Sequence, residues 1–261
     1  TVERVLFEGR RATGVAYSVN GVSRTASAGR EVILSAGSIM SPVILKRSGI
    51  GPAAHLRSLG IDVVADLPVG ERVLDHAVCY WFVQNHELAD MRGPSTALVA
   101  RHADCDWFSV VTTLDEAEGL CGLAFATCGD NVGGPFLLRS ADPMADPIIN
   151  HAYDMEPLRS AEELVHAVLG TEAFKGTTFV DAGRPLEDVF NERVGTCYHA
   201  AGTAPIGAVI DPELRVLGVD GLLVADASAF PTQITNNTNH TSYLMGEVAA
   251  RRLGAVPRPA A

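Results

Sequence analysis

The side chains best equipped for chemistry lie in the last third of the chain, in two polar clusters. The first runs Gly195-Thr196-Cys197-Tyr198-His199-Ala200-Ala201-Gly202-Thr203. A histidine flanked by small residues has room for another molecule beside it. Its ordinary pKa near 6.5 lets it take a proton at neutral pH, so His199 is a candidate general base. A hydrogen-bonded structural histidine would carry the same signature. The second cluster is Asn236-Asn237-Thr238-Asn239, just ahead of a helical stretch. It offers amide donors and acceptors next to a positive helix end. Helix capping by one Asn or Thr is the simpler reading, though the polar run behind Phe230-Pro231-Thr232-Gln233 is longer than a cap requires.

Both clusters need a scaffold, and the sequence supplies α/β units on either side of a different middle. The chain opens as a β-meander: Val5-Leu6-Phe7, a Glu8-Gly9 turn, Ala12 to Val19, then a hairpin at Asn20-Gly21 and a return strand over Val22 to Ala28. Asn-Gly suits a turn in which both central residues take positive φ. A strand at Glu31–Ser35 leads through Gly37 into a helix with Ser41-Pro42 at its start and Ser48-Gly49-Ile50-Gly51 at its end. Such a strand–turn–helix offers free N–H groups to phosphate. Pro52 fits the first turn of a further helix and Gly60 its end, and Ile61–Val64 reads as a short strand. Near the C-terminus Gly221–Ala227 is a buried strand ending in Asp226, and a helix runs from about His240 to Leu253 with Gly254 as its stop. Between these blocks Trp107–Val111, Gly122–Ala126 and Phe136–Ser140 are candidate strands. Pro157–Gly170 is a helix with one apolar face.

Composition excludes several classes. The 261 residues are 47% hydrophobic and carry a net charge of -11, with no lysine–arginine cluster, which argues against nucleic acid as a partner. No apolar run reaches membrane-spanning length. Five cysteines without a Cys-x-x-Cys give no support for a metal site or a disulfide framework. They read as buried free thiols in a reducing compartment, the cytoplasm.

The Gly37–Gly51 unit, the stretch Asp66-Leu67-Pro68-Val69-Gly70-Glu71-Arg72-Val73-Leu74-Asp75-His76, the His199-x-x-Gly202-Thr203 motif and Val224-Ala225-Asp226-Ala227-Ser228 together resemble the glucose-methanol-choline (GMC) family of FAD-dependent oxidoreductases. The resemblance implies a partial, Rossmann-like FAD-binding domain (α/β) with an inserted α+β substrate-binding domain of antiparallel sheet and helices. The division is 1–78 for the first part of the FAD-binding domain, 79–194 for the substrate-binding domain, and 195–261 for the C-terminal part with the active-site loops. In the family pattern the Asp66–His76 loop reaches a short helix beside the cofactor.

By the same resemblance His199 is the catalytic base and Asn239 the second active-site residue, with His240 taking that place if the alignment slips by one. Val2 reads adenine, Ser35, Ala36 and Gly37 fall near the dinucleotide, Asp226 and Ala227 meet the pyrophosphate, and Asn237 and Thr238 face the flavin pyrimidine ring. The implied reaction takes hydride from a small alcohol to flavin N5 while His199 accepts the hydroxyl proton. Asn239 orients the alcohol oxygen, and the N-terminus of the last helix favours the anionic reduced flavin. The sequence departs from the family in one respect: the Gly-x-Gly-x-x-Gly fingerprint is absent. The expectation is therefore a C-terminal portion whose partner half is a missing N-terminal FAD-binding segment or a separate subunit, and which is poorly soluble alone. The alternatives are a hydroxynitrile-lyase-like enzyme and a non-catalytic partner subunit or remnant.

Overall fold

The computed structural model describes residues 1–89, 98–100, 107–115, 117–126, 131–153, 166–167, 169–181 and 183–254. The meander forms as strands β1 (Val2–Glu8), β2 (Arg11–Val19) and β3 (Val22–Ser27), paired antiparallel in that order. Asn20 and Gly21 take φ of 51° and 76°, as a two-residue hairpin turn demands. Strand β4 (Val32–Leu34) then feeds helix α1 (Gly37–Arg47), and helix α2 (Ala53–Ser58) ends before Gly60 at φ +70°.

Two local expectations are corrected. Helix α1 begins at Gly37, so Ser41-Pro42 lies inside it and not at its start. Pro42 has no N–H to give the Ser38 carbonyl, its partner one turn back. The Thr203 hydroxyl donates to that carbonyl instead, at 2.8 Å, so the helix continues without an orphaned acceptor. Residues Ile61–Val64 do not form a strand. They are drawn over Gly49, where the Val64 N–H reaches the Gly49 carbonyl at 2.8 Å. A Cβ on Gly49 would meet the Asp62 carbonyl oxygen at 2.3 Å, so the approach requires glycine there.

The stretch through His76 is extended. Strand β5 (Leu74–Asp75) runs almost directly into β6 (Ala77–Gln84), whose Trp81 and Val83 are buried on one face. A short helix α3 (His86–Ala89) follows, then β7 (Leu98–Ala100), β8 (Trp107–Asp115), β9 (Leu120–Ala126), β10 (Asn131–Val132), β11 (Phe136–Leu137) and β12 (Ile148–Ile149). The two strands expected at Trp107–Val111 and Gly122–Ala126 lie within β8 and β9; the one at Phe136–Ser140 is the shorter β11. Strand β13 (Thr178–Phe179), helix α4 (Leu186–Arg193) and β14 (Gly195–Thr196) close the middle. The main sheet runs β13-β6-β9-β8-β7, with β14 on the other stretch of β6. Most of the helix expected at Pro157–Gly170 falls outside the described residues, as do Cys105, Cys128 and the tail from 255; Cys79, Cys121 and Cys197 are free thiols.

The chain returns to the first block through β15 (Leu222–Val224), parallel to β4 in the register Leu222–Val32, Leu223–Ile33 and Val224–Leu34. A single-turn 3-10 helix (Ala227–Ala229) and helix α5 (Asn239–Arg252) complete the order, α5 starting one residue before the expected His240. One core joins Val5, Val32, Leu34, Ile44, Leu45, Ile210, Leu222 and Val224, so meander, α1 and parallel pair are a single packed unit. Lys46 is fully buried in α1 and donates to the Phe136 carbonyl, which ties α1 to β11. Among the described residues no helix is long and apolar enough to cross a membrane.

Candidate active site

The pairing of β14 with β6 sets the site. Thr196 lies opposite Ala77 and Gly195 opposite Val78. Beyond that pair the Cys197 N–H donates to the His76 carbonyl at 2.9 Å. Leu74 and Ala201 then exchange both backbone bonds, at 3.0 and 2.8 Å. Of the three residues between these anchors, Tyr198, at φ 60° and 89% exposed, turns outward, while His199 and Ala200 are half-buried.

Asp75 sits under this bulge, 2% exposed. Its Oδ1 accepts the N–H of His76 at 2.8 Å and that of His199 at 3.1 Å. Its Oδ2 accepts the Thr196 hydroxyl and lies 3.5 Å from the Tyr153 hydroxyl and 3.4 Å from His151 Nδ1. One buried carboxylate therefore ties β5 to β14 and fixes the backbone of both histidines. The His76 and His199 rings meet edge to face with Nδ1 to Nδ1 at 2.8 Å. His76 Nε2 lies 2.8 Å from the Ile234 carbonyl, and the Gln233 side-chain amide donates to the His199 carbonyl at 3.1 Å. The loop that leads into α5 is thus bonded to both histidines.

Burial holds the His199 imidazole below the ordinary histidine value, with Asp75 opposing. For His76 burial is again the larger cause, with the neighbouring His199 adding to it and the Ile234 carbonyl and Asp75 opposing. Both rings are neutral at pH 7. The Cys197 thiol is pushed up to about 12 by burial and then by Asp75, so it is no nucleophile there.

Gly202 of the motif takes φ +67°, and a Cβ on it would stand 2.6 Å from Leu74 Cδ1 and 3.1 Å from the Phe230 carbonyl oxygen. Its N–H donates to Ala227 at 3.0 Å, and the Ala204 N–H to Ser228 at 2.7 Å, so the motif is stitched to the chain just beyond β15.

The remaining sequence-predicted residues fall in two places. Ser35, Ala36 and Gly37 follow the carboxyl end of β4 and lie beside Asp226 and Ala227, which follow the carboxyl end of β15. The Ser35 hydroxyl donates to the Ala225 carbonyl at 3.1 Å, and the Gly37 N–H to Asp226 Oδ2 at 2.9 Å. The Asp226 carboxylate is spent on internal donors, Oδ2 on Gly37 and Ser41 and Oδ1 on Ser228, so it shapes the turn and sits at the positive end of α1. Val2 packs on β1 against the core that holds β4 and β15. Asn237 is exposed, Thr238 is the α5 N-cap without a side-chain capping bond, and Asn239 is the first helical residue, its Oδ1 accepting the His240 N–H at 2.9 Å. The Asn239 amide oxygen is thus taken by a first-turn N–H of the helix, which leaves its NH2 group as the donor on offer.

The dinucleotide residues fit the group expected there. Ligands of open α/β sheets lie beyond the carboxyl ends of parallel strands. At that end Ser35 and Ala36 are exposed, and nothing lies within 4 Å of where a Gly37 Cβ would be. Sequence reasoning assigned no role to Asp75, His76, Gln233 or Ile234. The Asp75-His76 dipeptide was a signal, an acidic residue beside a histidine, but its partner lies more than a hundred residues away.

Comparison with known proteins identifies the family. Family models of GMC oxidoreductases match residues 1–78, with the N-terminal part, and 133–246, with the C-terminal part. The oxygen-dependent choline dehydrogenase of Sinorhizobium medicae (strain WSM419) is 33% identical over 305 residues, covering 95% of this chain and 56% of that protein. The enzyme of the same name from Rhizobium johnstonii is 34% identical over 310 residues with the same coverage. The chain thus spans little more than half the length of these relatives. Among solved structures, pyridoxine 4-oxidase from Mesorbium loti superposes with a TM-score of 0.82 at 22% identity, covering 98% of this chain and 57% of that one. A formate oxidase superposes with a TM-score of 0.82 at 20% identity, covering 96% and 59%. Fold, motif order and sequence identity agree, and the chain belongs to the GMC oxidoreductase family of FAD-dependent enzymes.

Proposed function

We propose that this chain carries the proton-accepting side of the active site of an FAD-dependent alcohol oxidoreductase. The observation that carries the proposal is the half-buried His199, set beyond the β14–β6 pairing and held from below by Asp75 and from the side by His76 and Gln233. Residues 1–78 and 195–261 form the flavin-facing part, and 79–194 the substrate-facing part. Val2, Ser35, Ala36, Gly37, Asp226, Ala227, Asn237 and Thr238 would hold FAD, largely through backbone groups. When bound, FAD supplies the hydride acceptor. His199 takes the hydroxyl proton of a small alcohol, which general-base catalysis makes worth about 10²–10⁴ in rate. Asn239, on the exposed first turn of α5, hydrogen-bonds the alcohol oxygen and orients its carbon.

A further protein segment, on the same or another chain, completes the flavin site. Parallel sheets are normally covered on both faces, yet β4 pairs with β15 alone among the described strands and leaves Ile33 42% exposed. The test is anaerobic addition of primary alcohols, choline among them, to the FAD-loaded protein. Bleaching of the oxidised flavin band is expected. Turnover of a cyanohydrin without bleaching by any alcohol would replace the redox reading with a lyase.

A further inference from the structure

We propose that His76 is a positioning residue that fixes the tautomer of His199 and leaves its outward nitrogen free to accept a proton. The inference rests on the reading of His199 as the base. A carbonyl oxygen cannot donate, so the 2.8 Å contact between His76 Nε2 and the Ile234 carbonyl places a hydrogen on that Nε2. A neutral His76 then has a bare Nδ1. Across the second 2.8 Å contact, from Nδ1 to Nδ1, one hydrogen must lie between the rings, and it belongs to His199. With its proton on Nδ1, a neutral His199 presents an unprotonated Nε2 to whatever occupies the site.

The alternative arrangement fails on counting. Were His199 protonated on Nε2 only, two lone pairs would face each other at 2.8 Å in a place from which His76, 1% exposed, cannot turn away. The backbones of both rings are pinned to the same Asp75 Oδ1, so neither slides to relieve it. The direction of the chain of bonds is therefore set at Ile234, in the loop that leads into α5. When His199 takes a proton on Nε2, its Nδ1–H continues to donate to His76 and no hydrogen bond is broken. This is how a neighbouring hydrogen bond selects the working nitrogen of a histidine.

The experiment is long-range 1H–15N correlation on FAD-loaded protein labelled at histidine nitrogens, with His199 assigned by the signals missing in His199→Gln. A single hydrogen on Nδ1 and a bare Nε2 are expected at neutral pH; a hydrogen on Nε2 in the unmodified protein overturns the proposal with no mutation needed. In His76→Leu the acceptor is gone, and His199 should populate both tautomers, with flavin reduction slowed about tenfold or more and KM little changed. His76→Asn, whose amide oxygen can stand near the lost Nδ1, should recover the Nδ1–H form and most of the rate. An unchanged single tautomer in folded His76→Leu would also overturn it. Failure of the base assignment looks different: His199→Ala would then reduce flavin normally whatever tautomer His199 shows.

Discussion

His199 is neutral in this protein because burial outweighs the pull of Asp75 on its pKa. The sign of its pH dependence follows. The base form persists below the ordinary histidine value, so the rate of flavin reduction should stay level from neutral pH down past about 6.5 and fall only as pH drops through the lowered pKa. Stopped-flow reduction across about pH 5 to 8 checks this; a fall already centred above 6.5 would mean another group is titrating. Lys46 offers a second test, of stability. Burial lowers its pKa from 10.5 to about 8, against the pull of Glu71. Between those values the unfolded chain holds the proton that the folded chain has lost, so this group makes the fold more stable as pH rises through that window and adds nothing further below it. The wild-type stability relative to Lys46→Met should rise by up to about 3 kcal/mol from pH 8 to 10.5, measured by denaturant melts at each pH. His199 stands out in the sequence through the small residues that follow it and the His-x-x-Gly-Thr spacing that resembles the GMC pattern. His76 does not, because its contact to His199 exists only through the pairing of two strands far apart in the chain.

At the scale of elements, the Gly-Thr that follows the histidine by three positions is a joint. Gly202→Ala would force a side chain into a left-handed backbone and against Leu74 and the Phe230 carbonyl. A loss of about 2–5 kcal/mol in a thermal or denaturant melt is expected. Thr203→Val keeps the shape but leaves the Ser38 carbonyl, beside Pro42, without its donor, and should cost about 1–3 kcal/mol. Elements with local signals formed as the sequence indicated: the Asn20-Gly21 hairpin, the strand ahead of Gly37, the last helix with Gly254 at its end. The misreadings were tertiary in origin. Ile61–Val64 has strand composition, yet its N–H groups go to local partners, Ile61 to Leu56 and Val64 to Gly49. Pro42 looked like a helix start because the hydroxyl that lets the helix run through it comes from Thr203.

At the scale of the molecule, the α/β blocks at the two ends of the sequence meet as one unit through β4 and β15, while the middle forms its own antiparallel sheet. The sequence changes character from Cys79 to Val194, and the middle sheet draws in residues on either side of that span, Ala77 and Val78 pairing with Thr196 and Gly195. Ile33 of β4 is left exposed, and no Gly-x-Gly-x-x-Gly occurs in the 261 residues. The chain expressed alone should self-associate or need a partner, and size-exclusion chromatography showing a stable monomer would count against a further segment at Ile33. The proton-accepting role of His199 is tested directly by anaerobic stopped-flow reduction of the FAD-loaded protein by an alcohol, with His199→Ala beside the wild type. FAD should be retained in the variant and reduction slowed by about 10²–10⁴. Reduction at the wild-type rate with flavin fully bound would contradict that role.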